Sequence, residues 1–159
     1  MQIQTALFGQ LDVASEKIIH FSQGIPGFEN LHEFAIVILE QTRPFLWLQA
    51  LDEDVALPVI SPFDISPDYS PQIDDEVFST LKISREEDLL VLSVAVIPEQ
   101  ISKMTANMAA PVLINIADNL GRQVLVEGGD YQVRQPIFAE VSQKMYREKS
   151  NAGINETKK

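Results

Sequence analysis

The sequence predicts an all-β fold: a small, single-domain, antiparallel β-barrel-like structure with one or two short helices. Three observations carry this. Short apolar segments recur between clusters of Gly, Pro, Asn and Asp, which is how strands alternate with turns. Two of them, 36–39 and 91–96, are nearly continuous and rich in β-branched residues, as strands covered on both faces are. Helical periodicity is confined to a few short stretches. The chain has 159 residues, 45% of them apolar, enough for one domain with its own core.

In chain order, strands are expected at 2–7, 17–21, 34–39, 45–51, 57–61, 89–97, 112–117 and 122–127. The second gives way to Gly24-Ile25-Pro26-Gly27, where two φ-permissive glycines flank a φ-locked proline and force a rigid loop. Alternation in 45–51 places Phe45, Trp47 and Gln49 on one face, with Trp47 assigned to the core.

A helix is expected over 70–81. Ser70 would cap it, Pro71 would sit in the first turn, and Asp74, Asp75 and Glu76 would suit the helix dipole. Ile73, Val77 and Leu81 then share one face. A helical turn or two is expected near 98–104. In the following segment Thr105 and Asn107 are placed to satisfy local backbone groups, and Pro111 leads into a strand. Asn115 interrupts that strand and needs hydrogen-bond partners if it faces inward.

Asp118-Asn119-Leu120-Gly121 reads as a hairpin connection with Gly121 at positive φ. Residues 138–149 suit a terminal helix with Phe138, Val141 and Met145 inward. The barrel domain is therefore expected over 1–143, followed by a basic tail over 144–159 that is polar and frayed beyond Ser150.

Charge is unevenly distributed. The net is −11. The tail 144–159 carries five basic against two acidic residues, a net of +3, so residues 1–143 carry −14. Between Asp52 and Asp88 alone, eleven acids face Lys82 and Arg85. A field of that sign repels phosphate backbones, so no direct nucleic-acid partner is expected, and it would speed encounter with a basic protein surface. Cysteine is absent, which excludes disulfides and thiolate sites and suits a reducing, cytoplasmic setting. Neither a leader nor an apolar run of membrane-spanning length is visible, and no membrane association is expected.

Catalytic chemistry finds little footing. The two histidines, His20 and His32, lack metal-ligand spacing. The clusters Asp52-Glu53-Asp54, Asp74-Asp75-Glu76 and Glu86-Glu87-Asp88 fall in turns or a helix start, where water solvates them. No nucleophile elbow or phosphate-binding loop is present. The reading is therefore a non-enzymatic protein without cofactor or metal. Two alternatives stay open: a small-molecule or oligosaccharide-binding barrel with Trp47, Tyr69 and Tyr131 at its mouth, and a hydrolase built on the carboxylate clusters.

Six segments stand in a familiar order. They are Phe21-Ser-Gln-Gly-Ile-Pro-Gly-Phe28, Pro44-Phe-Leu-Trp-Leu-Gln-Ala50 with Asp52-Glu53-Asp54, Val59-Ile-Ser-Pro-Phe63 with Asp68-Tyr69, Thr105-Ala-Asn-Met-Ala-Ala-Pro-Val-Leu-Ile-Asn115, Gly121-Arg-Gln-Val-Leu-Val126, and Tyr131-Gln-Val-Arg134 with Pro136-Ile137. Together they resemble the flagellar assembly factor FliW family over about residues 1 to 138. Met108 stands where that family more often has Leu, a volume-conserving change. The resemblance implies a β-barrel-like monomer that binds flagellin and sequesters the translational regulator CsrA, relieving repression of flagellin translation. Asp52, Glu53, Asp54, Asp74, Asp75 and Glu76 are the residues expected to attract the basic CsrA. Gly24, Pro26, Gly27, Trp47, Thr105, Asn107, Pro111 and Asn115 are expected to hold the motif's structure.

Overall fold

A computed structural model describes residues 1–157, with side-chain detail through Arg147. Among the described residues eleven strands form: β1 (Gln2–Thr5), β2 (Gly9–Asp12), β3 (Ile19–His20), β4 (Glu33–Val37), β5 (Leu46–Ala50), β6 (Ala56–Ile60), β7 (Leu89–Val96), β8 (Thr105–Ala106), β9 (Val112–Asn115), β10 (Leu120–Gln123) and β11 (Gln135–Pro136). Three helices accompany them: α1 (Pro62–Ile65), α2 (Asp75–Thr80) and α3 (Phe138–Thr157). The sheet runs β7-β6-β5-β4-β3-β10-β9 and closes because β9 also pairs with β7. The result is the predicted barrel, antiparallel at every seam but one, the parallel contact of Leu120 with His20.

The barrel is filled by alternation. Leu48, Val59, Leu92, Val112 and Ile114 point inward and meet Phe21 and Phe34, whose rings pack edge to face at 5.2 Å. The outward residues of the same strands are covered by the remaining elements. On Leu113 and Val124 sit Val77 and Leu81 from α2 and its C-cap. Val141 of α3, with Ile137 just before it, packs against Phe45, Ile60, Ala95 and Met104. The β1–β2 hairpin brings Val13 and Leu11 against Ala35 and Leu51. β7 thus has both faces covered along most of its length, which explains its continuous apolar run.

Several boundaries differ from the expectation, each for a physical reason. Residues 2–7 do not form one strand, because the chain reverses through Gly9 at φ +68 and returns as β2. The helix expected from Ser70 begins at Asp75, and its cap is Asp74, whose side chain accepts the Glu76 N–H. The Ser70 N–H is instead bound by the Tyr131 hydroxyl. In the β9–β10 turn the positive φ falls on Asn119, not on Gly121. Gly121 is needed because a methyl group there would overlap the Phe21 ring. Strand β10 stops at Gln123; Val124 and Val126 donate instead to Pro111 O and Ala109 O. α3 runs from Phe138 to Thr157, beyond the 149 expected for the terminal helix.

Strands β8 and β9 are two halves of one long partner of β7. Between the pairs Ala95–Ala106 and Leu92–Val112, β7 advances by three residues and its partner by six. The extra residues form a broad bulge. Its backbone is nonetheless well bonded: Met108 N to Gln132 O at 2.9 Å, Tyr69 Oη to Met108 O at 2.8 Å, and Gln123 Nε2 to Ala110 O at 2.9 Å. The bulge turns the Met108 side chain into the core, where the Ser93 hydroxyl lies 3.6 Å from its sulfur.

Candidate protein-binding surfaces

The six predicted acidic residues are all exposed, and they occupy two separate places. Asp52, Glu53 and Asp54 form the β5–β6 turn, while Asp74, Asp75 and Glu76 open α2 on the outer face of the barrel. Within each trio the side chains divide. Asp54 Oδ2 accepts the Ala6 N–H at 2.9 Å and so ties the β1–β2 hairpin to the barrel. Asp74 Oδ1 accepts the Glu76 N–H at 3.1 Å as a helix cap. Among the described residues Asp52, Glu53, Asp75 and Glu76 find no side-chain hydrogen-bond partner, and all four are exposed. They are the freer part of the predicted acidic surface.

The motif residues sit at points of backbone constraint. Gly24 (φ +66) lies so close to the Glu29 backbone that any Cβ would clash. The loop is closed by Glu29 Oε1, which accepts the Gly27 N–H at 3.1 Å, and this bond lowers the Glu29 carboxyl pKa. Pro26 is exposed at the tip. Asn107 Oδ1 accepts the N–H groups of Ala109 and Ala110 at 3.1 and 3.0 Å, shaping the bulge that Pro111 closes. Thr105 differs from the expectation: it belongs to β8, paired with Val96 and Pro136, with no side-chain bond to the local backbone among those described.

Asn115 is fully engaged. Its Nδ2 donates to Leu81 O at 2.8 Å and Lys82 O at 3.2 Å, and its Oδ1 accepts from Ala117 N and Asp118 N. One buried amide therefore joins α2 to the β9–β10 turn.

The aromatic residues do not share a barrel mouth. Trp47 is half-buried, packs edge to face with Phe8 at 5.7 Å, and donates to Thr42 Oγ1. Tyr69 is buried against Tyr131 at 4.7 Å, with its hydroxyl committed to Met108 O. Burial, with Tyr131 beside it, pushes the Tyr69 phenol up to about 12. His20 and His32 stack at 6.3 Å, and His32 Nδ1 lies 2.8 Å from Phe21 O. Among the described residues no group of three or more His, Asp or Glu converges as a metal site, and no helix is long and apolar enough to cross a membrane.

One cleft was not expected from the sequence, although Pro26, Thr105 and Asn107 in its wall belong to motifs recognised there. It lies where β7 and β10 end, encloses about 240 Å³, and draws on Pro26, Val94, Val96, Thr105, Asn107, Gln123, Val133 and Arg134. These come from five separate stretches of chain, so only the tertiary structure assembles them.

A closed, acidic barrel with exposed carboxylate turns and a bulged long strand defines a small β-barrel scaffold class. Within that class the sequence comparisons are specific. The FliW protein family profile matches residues 2–137. The chain is 41% identical over 143 residues to the flagellar assembly factor FliW of Thermoanaerobacter pseudethanolicus, covering 89% of this chain and 95% of that one. It is 40% identical over 137 residues to that of Caldicellulosiruptor saccharolyticus, covering 86% and 90%. A crystal structure of the flagellar assembly factor FliW superposes with a TM-score of 0.81 at 30% identity, covering 87% of this chain and 97% of that one. The chain belongs to the FliW family of flagellar assembly factors.

Proposed function

We propose that this protein acts by binding rather than by catalysis: it binds flagellin, and when free it sequesters CsrA and so relieves repression of flagellin translation. Flagellin, by occupying it, would couple synthesis to export. Family membership supports the flagellar role. The observation that carries the CsrA branch is the pair of exposed acidic clusters on a body of net charge −14 over residues 1–143. A protein that holds RNA phosphates must be basic, and a surface of this sign steers such a partner inward. The free protein is proposed to be a cytoplasmic monomer.

Size-exclusion co-elution of the purified chain with flagellin and, separately, with CsrA at micromolar concentration and low salt tests the reading. Co-elution with both is expected. Failure with both would overturn it.

A further inference from the structure

The cleft at the ends of β7 and β10 is unlike the other described clefts. Each of those includes at least one carboxylate in its lining, such as Glu127 and Asp130 in one and Asp64 in another. Here, among the described residues, the only charged lining side chain is Arg134, and the walls are Val94, Val96, Val133 and Pro26. Val96 is 61% and Val133 59% exposed, and both line this one cleft. Contiguous exposed aliphatics of this kind mark interaction surfaces. At about 240 Å³ the cleft falls below the roughly 300–1,000 Å³ of small-molecule sites, which favours side chains of a protein over a metabolite.

The geometry points to a docking slot for a partner segment that carries aliphatic side chains next to a carboxylate. The aliphatic groups would enter between Val96 and Val133, and the carboxylate would meet the Arg134 guanidinium, the bidentate partner such a group prefers. Charge complementarity selects this occupant. Residues 1–143 together carry −14 and repel acidic segments, whereas here a cation sits in a carboxylate-free wall. This deepens the binding role proposed above and rests on it for the identity of the full-length partner. The slot is also distinct from the β5–β6 turn and the start of α2, so apolar–acidic and basic partners would meet different surfaces.

Two exposed substitutions, Val133→Asp and Arg134→Glu, test the slot once unchanged thermal midpoints show that both variants fold. Flagellin binding should weaken roughly tenfold or more in each, while CsrA binding stays within about twofold, as expected of residues outside its contact surface. A second probe is independent of flagellin: a fluorescent synthetic helix with Leu on one face, flanked by Glu, and the same peptide with Gln for Glu. The wild-type protein should prefer the Glu peptide, and Arg134→Glu should reverse that preference. If flagellin does not bind the wild-type protein, the flagellin branch of the functional reading fails, and the peptide alone decides the slot. Equal binding by wild type and Val133→Asp, absence of peptide binding, or tighter binding of the Gln peptide would each overturn the proposal.

Discussion

At the scale of single residues, the side chains that matter most for the fold satisfy several backbone groups at once. Asn115 serves four backbone groups across two elements. Asn115→Ala should therefore cost about 2–4 kcal/mol, more than one typical hydrogen bond, because several of those groups are left without a partner; urea unfolding would measure it. Tyr69 makes a pH prediction. Its folded pKa of about 12 lies above the ordinary phenol value of 10.0. Between those values the unfolded chain has released the proton and the folded one has not. Stability from this residue is therefore full below pH 10 and declines toward 12. The pH dependence of the thermal midpoint over that window should flatten in Tyr69→Phe, at a cost of about 1 kcal/mol near neutrality for the lost bond to Met108 O.

At the scale of elements, the barrel is sealed by pieces laid on its outside. α3 is anchored through Ile137 and Val141, both buried against Phe45, Ile60 and Met104. The Lys144–Asp64 ion pair at 3.2 Å adds little, since both groups are partly exposed. Ile137→Ala should cost about 2–5 kcal/mol by leaving a cavity, whereas Lys144→Ala should cost no more than about 1 kcal/mol, a contrast that thermal denaturation would resolve. Removing the α2 cap with Asp74→Ala should cost about 1 kcal/mol.

At the scale of the whole molecule, the net charge acts as a field. Reversing Asp52, Glu53 and Asp75 to Lys spares the two acids that hold backbone, Asp54 and Asp74. The triple variant should fold normally and associate with CsrA markedly more slowly at low salt. The difference should shrink as salt shortens the screening length to about 8–10 Å. Stopped-flow association rates across an ionic-strength series check this; unchanged rates throughout would remove these residues from the encounter surface.

Much of the architecture was legible in the residues because it follows from local rules. Period-two apolar segments, the constraints of Gly24, Pro26 and Gly27, and the facing of Val141 and Val77 all depend on near neighbours, and the structure keeps them. The acidic surface was equally visible, since Asp, Glu and their turns are exposed for solvation reasons. Other features depend on residues far apart in the chain. That Tyr131 takes the Ser70 N–H and leaves Asp74 to cap α2, and that Gly121 makes room for Phe21, were decided by distant contacts. So was the joining of Val94, Val96, Val133 and Arg134 into one cleft. Sequence by itself determined which segments could be strands and where charge would lie; tertiary structure decided which strands meet, because closing a barrel pairs residues that no local pattern relates.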